Sequence, residues 1–273
     1  MKNYQNKEEL QTALINLKTI KNVALFFNVN NKTIKRWMDY HSITGIGSQG
    51  ARKHTCNEHF FDTIDTQEKA YWLGFLYADG CVYKGSDGKS YRLQINLKAS
   101  DSRILEEFNK AIESNYIIKY KNIINKENNN VYEAVQIKIN NTYLCKQLIS
   151  LGVVPKKSLI CKFPNIDKKL IRHFIRGYFD GDGCITSTNK NNRISWKVNI
   201  IGNKSMIESF YDIFSKNNID SRMYHIKHSK VISIDICSKK SILNFYNYLY
   251  KDSTIFMHRK YNRFEDFKKH LSN

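Results

Sequence analysis

The sequence predicts an α+β protein in which two similar α/β halves follow a small all-α domain. Three observations carry this. The apolar stretch "AYWLGFLYADGCVY" at 70–83 is echoed by "RHFIRGYFDGDGCIT" at 172–186, and each runs into Asp, Gly and Cys in the same register. Behind each comes an alternating strand and an amphipathic helix: "YRLQINLK" and "DSRILEEFNKAI" in the first half, "RISWKVNI" and "KSMIESFYDIF" in the second. The first 45 residues, in contrast, carry only helical spacing.

The chain is 41% hydrophobic and 13% aromatic over 273 residues, ample for a packed core. Its 44 Lys and Arg against 25 Asp and Glu leave a formal charge of +19. A field of that sign suits a polyanion, nucleic acid ahead of an anionic membrane. No apolar run approaches the roughly 20 residues of a spanning helix, and the N-terminus lacks the apolar centre of a signal peptide. The expectation is a soluble intracellular protein, cytoplasmic or organellar, with no membrane partner. Six scattered cysteines without a CxxC pair read as reduced thiols. Cys56, His59 and nearby His54 lack the second ligand pair of a zinc site.

Leu10, Ala13, Leu14 and Leu17 recur at helical spacing. "IKNVALFFNVNNKTIKRWMDY" then gives a helix, a turn at Asn28–Asn30 and a second helix, a helix-turn-helix over 1–45. Val23, Phe27, Val29, Ile34 and Trp37 would form its core. Lys32, Thr33, Lys35 and Arg36 would lie on or near the exposed face of the second helix, available to a major groove. Residues 46–59 have linker composition, 60–152 form the first half, 153–168 a connector holding the only two prolines, and 169–273 the second half. Later strands match as well, "VQIKI" with "ISIDI".

Gly74 and Ala78, like Gly177 and Gly181, make small-residue stripes that let two helices approach closely. Packed side by side in one direction, those helices bring Asp79 and Asp182 together at their C-terminal ends. Two carboxylates there repel each other and the helix dipoles, and a divalent cation resolves the conflict. Oxygen ligands with room for water and phosphate favour Mg²⁺. Lys157 follows Asp79 at the same interval at which Lys260 follows Asp182, and either lysine would stabilise charge on a phosphate or help position a water. Asp180, matched by Tyr77, is left as a structural residue. "DGDGCITSTNK" lacks EF-hand ligands, and "SDGKS" lacks the first Walker glycine.

The strands suit a nucleic-acid surface. Arg92, Gln94, Asn96 and Lys98 share one face while Leu93, Ile95 and Leu97 share the other. In the second half Arg193, Ser195, Lys197 and Asn199 oppose Ile194, Trp196, Val198 and Ile200. Gln136 and Lys138 extend the polar surface, whose side-chain types match base edges in a major groove.

From about residue 60 to the C-terminus the paired segments resemble the two motifs of single-chain LAGLIDADG homing endonucleases. "KKSLICKFPNIDKKLIRHFIRGYFDGDG" is most similar to intein-type and free-standing members. The resemblance implies two halves about a pseudo-twofold axis, with antiparallel strands forming a saddle on DNA. It implies Asp79 and Asp182 as metal-binding acids, the carbonyls of Ala78 and Gly181 as further ligands, and Lys157 and Lys260 near the scissile phosphates. It also implies Mg²⁺-dependent, site-specific double-strand cleavage leaving short 3′ overhangs, mobility of an intron or intein gene, and a monomer on a long asymmetric duplex. Trp72, Tyr77, Arg176 and Tyr178 depart from the family pattern without removing an acid. Two other readings stand on the same fold: a non-cleaving DNA-binding regulator, and a maturase acting on intron RNA.

Overall fold

A computed structural model of the chain describes residues 3–43, 54–124, 129–155, 157, 160–227 and 229–272. They fall into two compact units, Met1–Thr55 and Cys56–Asn273. Of the expected linker, 46–53 lie outside the described residues. Residues 56–59 belong to the second unit instead, because the Asn57 N–H donates to the Ile112 carbonyl and Cys56 packs on that unit's core.

In the N-terminal unit three helices start where a side-chain oxygen meets the free N–H groups of a first turn. Asn6 caps α1 (Lys7–Leu17), Thr19 caps α2 (Ile20–Phe26) and Asn30 caps α3 (Asn31–Tyr40). The connection from α2 to α3 turns through Asn28 at φ 52°, a conformation asparagine tolerates. Leu10, Leu14, Val23, Ala24, Ile34 and Met38 form the core. Phe27, Val29 and Trp37, expected inside, only flank it. Lys32, Lys35 and Arg36 are exposed on α3, and Thr33 is half-buried.

The second unit contains the duplication. Its first half holds α4 (Gln67–Ala78), the strands β1 (Gly80–Lys84) and β2 (Tyr91–Lys98), α5 (Ser102–Ala111), the strands β3 (Lys119–Ile124) and β4 (Val131–Ile139), and α6 (Thr142–Ser150). Its second half holds α7 (Ile171–Asp182), β5 (Gly183–Lys190), β6 (Arg193–Gly202), α8 (Lys204–Lys216), β7 (Arg222–His225), β8 (Ile232–Ile236), α9 (Lys239–Tyr250) and α10 (His258–Ser272). Each half builds a four-stranded antiparallel sheet of the same topology, β1-β2-β4-β3 and β5-β6-β8-β7. Gly80 pairs with Ile95 and Gly183 with Ile200, so Gln94 and Asn199 occupy matching rows opposite Cys81 and Cys184.

The helices α4 and α7 form the seam. From Ala70 to Tyr77, α4 is buried on every side, as its unbroken apolar composition requires. A Cβ placed on Gly74 would lie 1.9 Å from the Phe174 carbonyl oxygen, and one on Gly177 would lie 1.9 Å from that of Tyr71. The two backbones therefore touch at the glycines of the stripes. One apolar core runs under both sheets, with Trp72, Phe108, Phe179, Phe210, Phe245 and Phe264 among its members. No described helix is long and apolar enough to cross a membrane.

Alternation holds along β2, and along β6 except at Ile194, while on β4 the expectation fails at Gln136. Ile194, placed by its pattern on the buried face, is 42% exposed, one row beyond Trp196, on whose ring Phe267 of α10 packs. Gln136, placed on the open face, is buried at 7% exposure and bonded to Asn96.

Candidate active site and nucleic-acid face

Asp79 is the C-cap of α4 and Asp182 the last residue of α7. The close glycine contact brings these ends together: a Cβ on Gly181 would fall 2.2 Å from the Ala78 Cβ and 3.2 Å from an Asp79 carboxylate oxygen. Burial pushes the Asp79 carboxyl up to about 6, and the charge of Asp182 adds to the rise. Burial also raises Asp182, against the pull of Lys157 and Lys260. Each acid remains half-buried and so open on one side.

The two lysines do not reach out from this site. Lys157 is 7% exposed and Lys260 4% exposed. Lys157 Nζ donates to the carbonyls of Ala78 (3.0 Å) and Gly80 (2.5 Å). Lys260 Nζ donates to those of Phe179 (2.7 Å), Asp180 (2.7 Å) and Gly181 (3.0 Å). A helix C-terminus leaves carbonyls unpaired and carries partial negative charge, so an ammonium is the fitting partner. Burial lowers both ammonium groups, Lys260 to about 8. The Ala78 and Gly181 carbonyls, expected as metal ligands, each accept a lysine N–H. Each of these carbonyls keeps a second lone pair, so the lysine bond does not by itself close it to a cation, and the two carboxylates are the charged donors beside them.

Asp180 is fully buried in a polar knot, as its lack of an acidic counterpart suggested. Its carboxylate accepts from Tyr71 Oη (2.9 Å), Tyr250 Oη (3.0 Å) and the Met257 N–H (2.7 Å). Arg176, treated in the sequence only as a departure, is also fully buried. It lies 5.3 Å over the Tyr71 ring, donates to the carbonyls of Ile255 (2.9 Å) and Leu249 (3.0 Å), and meets His173 Nδ1 at 2.7 Å. Both residues fasten the segment leading into α10 and its Lys260.

A cavity of about 590 Å³ opens beside Asp79, bordered by Asn96, Lys98, Asp101, Gly181 and Arg259. Arg259 bridges the halves with two bonds to the Asp101 carboxylate, at 3.2 and 3.1 Å. Nothing in the motif pattern marked this pair, since its members stand far apart in the chain and belong to neither repeat signature.

Beyond the cavity lie the polar faces of the sheets. Asn96, Lys98 and Lys138 are exposed, and Arg92 and Gln94 half-buried. In the second half Arg193, Ser195 and Lys197 are exposed and Asn199 half-buried. The outer strands β3 and β7, which the sequence did not announce, add Lys119, Lys121, Arg222 and Tyr224 to the same rows. Asp235 introduces an acid among these basic groups, 3.2 Å from Lys197.

A duplicated α+β unit with acid-tipped helices at its seam and a polar sheet face in each half defines a two-motif, single-chain architecture. The LAGLIDADG-like domain family matches it twice, over residues 66–152 and 169–250, and the chain belongs to that family. Three curated relatives come from Methanocaldococcus jannaschii. A probable translation initiation factor IF-2 is 30% identical over 190 residues, covering 65% of this chain and 14% of the relative. The uncharacterized protein MJ0314 is 25% identical over 166 residues, covering 60% of each. The DNA-directed RNA polymerase subunit Rpo1C is 26% identical over 165 residues, covering 60% of this chain and 17% of the relative. The chain thus spans less than two thirds of each. Among solved structures, meganuclease I-SmaMI bound to uncleaveable DNA has a TM-score of 0.50 at 10% identity, covering 73% of this chain and 88% of the other. I-SmaMI bound to its uncleaved target with calcium ions gives 0.51 at 11% identity, covering 76% and 90%. At these identities the likeness is one of fold.

Proposed function

We propose that this protein is a site-specific endonuclease that binds a long asymmetric DNA duplex as a monomer and hydrolyses both strands at Asp79 and Asp182. The observation that carries this reading is the convergence of two half-open carboxylates at the seam of two polar, basic sheets. The matched initiation factor and polymerase subunit have unrelated names and share only a small part of their length with this chain, so the common element is the module rather than either activity. The solved relatives of like fold are meganucleases bound to DNA, which supports a duplex on the sheet faces here.

The donor set fits a hard divalent cation. Two carboxylates held close enough to repel supply oxygen ligands, and their open side leaves room for water and phosphate. A bound Mg²⁺ would supply Lewis acidity, lowering the pKa of a water and stabilising the leaving oxygen. Asp79 and Asp182 would hold it, with the Ala78 and Gly181 carbonyls as further oxygen donors. Lys157 and Lys260 would keep the helix ends in place and contribute positive potential at the reacting phosphates through the protein, without turning toward solvent. Arg92, Gln94, Lys98, Lys138, Arg193 and Lys197 would position the duplex. The N-terminal unit, through Lys32, Thr33, Lys35 and Arg36 of α3, would add contacts by tethering. By family resemblance the products carry short 3′ overhangs.

The test is a selection of cleaved duplexes from a randomised or source-genome library with Mg²⁺, run beside Asp79→Asn and Asp182→Asn. Recovery of one long asymmetric site by the wild type alone supports the endonuclease. Duplex capture without cutting by any version points to a regulator, and preference for structured RNA over duplex points to a maturase.

A further inference from the structure

The polar faces carry two asparagines whose side-chain amides are fixed by groups of unambiguous polarity. On β2, Asn96 Oδ1 lies 3.4 Å from Lys121 Nζ. An ammonium has no acceptor, so the asparagine atom facing it is the oxygen. The same oxygen accepts from Gln136 Nε2. The Asn96 NH₂ group has no partner among the described residues, and the side chain is exposed beside the Asp79 cavity.

On β6 the situation is reversed. Asn199 lies 3.1 Å from Asp235 Oδ1 and 2.5 Å from Ser233 Oγ. Burial raises the Asp235 carboxyl, but bonds from Ser233, Asn199 and Lys197 more than offset this, leaving it below its ordinary value and ionised. An ionised carboxylate only accepts, so the Asn199 atom facing it is the nitrogen. Ser233 spends its own hydrogen on Asp235 at 2.7 Å, and therefore accepts the second N–H of Asn199. Both hydrogens of that amide are committed, and Oδ1 is the atom left over.

We infer that the two sheets read bases with opposite polarity: Asn96 presents a donor, held by Lys121 and Gln136, and Asn199 presents an acceptor, held by Asp235 and Ser233. The inference rests on the duplex-DNA reading proposed above. A free asparagine pairs with adenine through both N6 and N7. Locked as a donor, Asn96 accepts G, A or T on the contacted strand and rejects C, which offers only its amino group. Locked as an acceptor, Asn199 takes the amino group of A or C and rejects G and T. Asn199 shares its row with Gln94 rather than with Asn96, so the two preferences fall at base pairs in different registers of the two half-sites. Lys121, Gln136, Ser233 and Asp235 act here as positioning residues.

The test is binding selection from a randomised duplex library with Ca²⁺, so that capture is scored without cleavage. Asn96→Ala and Asn199→Ala locate the two base pairs, each relaxing one position. Lys121→Glu is then expected to turn the Asn96 amide over and shift its position toward A and C by roughly tenfold. The charge-matched Lys138→Glu should weaken binding and leave that position unchanged. Asp235→Ala should admit G and T at the Asn199 position. In the DNA-free wild type, the Asn199 side-chain NH₂ should exchange with solvent more slowly than that of Asn96, a readout that needs no variant to fold. An unchanged base profile in Lys121→Glu and Asp235→Ala, or equal exchange of the two amides, overturns the inference while leaving the duplex reading intact. Failure to capture any duplex overturns both.

Discussion

Lys260 and Asp180 are joined at both ends of one turn. Lys260 Nζ donates to the Asp180 carbonyl at 2.7 Å, and the Asp180 carboxylate accepts the Met257 N–H at 2.7 Å, so helix end and lysine segment hold each other. Asp180→Ala would strand three buried donors. It is expected to cost about 3–5 kcal/mol in urea unfolding, with Asp180→Asn costing less because the amide oxygen still accepts.

The helix seam tolerates no side chain at its glycines. Gly74→Ala or Gly177→Ala would drive a Cβ into a backbone carbonyl at 1.9 Å, where no rotamer can yield. Either should cost at least about 3 kcal/mol or abolish folding. Gly88→Ala is the comparison. Its site is open and only the φ of 67° resists, so about 1 kcal/mol is expected.

Asp79 makes the metal-free protein sensitive to pH in a defined direction. Its carboxyl is raised to about 6, so the folded state binds the proton more tightly than the unfolded chain. The group's contribution to stability therefore falls as pH rises from about 4 to 6 and stays lost at neutral pH. Asp79→Asn should raise the metal-free melting temperature at pH 7.5, by about 1–3 kcal/mol in stability. Mg²⁺ or Ca²⁺ should raise the melting temperature of the wild type more than that of the variant. This ion-induced rise should shrink below pH 6, where protons compete for the site.

His173 acts in the opposite sense. Burial and the neighbouring Arg176 and Arg172 lower it from 6.5 to about 4, so the folded state keeps it neutral while the unfolded chain takes up a proton. Stability should fall as pH drops through this window, by on the order of 2 kcal/mol. His173→Gln should flatten that slope in denaturant midpoints measured between pH 4 and 7.

The N-terminal unit has its own core, so removing residues 1–55 should leave the remainder folded. On the proposed reading, in which the N-terminal unit adds tethered contacts, its removal should weaken duplex capture by about tenfold or more while leaving the selected site unchanged.

Periodicity and duplication made much of this legible beforehand. The glycine stripes, the paired acids and the alternation of "YRLQINLK" all follow from spacing, because helix and strand periods are fixed by backbone geometry. The edge strands β3 and β7 escaped notice because they are short and largely exposed, so no alternation marks them. Residues 56–59 of the expected linker join the second unit for a related reason: composition marks a polar stretch but not the contacts it will find, here the Asn57 bond to Ile112, the packing of Cys56 on the core and the Asn141 bond to Glu58.

By itself, then, the sequence determined the two halves, the acids at their seam and the basic character of their polar faces, since these depend on residue type and interval along one chain. Only the tertiary structure decided that Lys157 and Lys260 turn inward to the helix ends, that Arg259 reaches Asp101, and that Asn96 and Asn199 expose opposite ends of their amides. Each of these is a hydrogen bond between residues distant in sequence. A buried or half-buried polar group takes whichever partner the fold brings within reach, and no local pattern encodes which partner that will be.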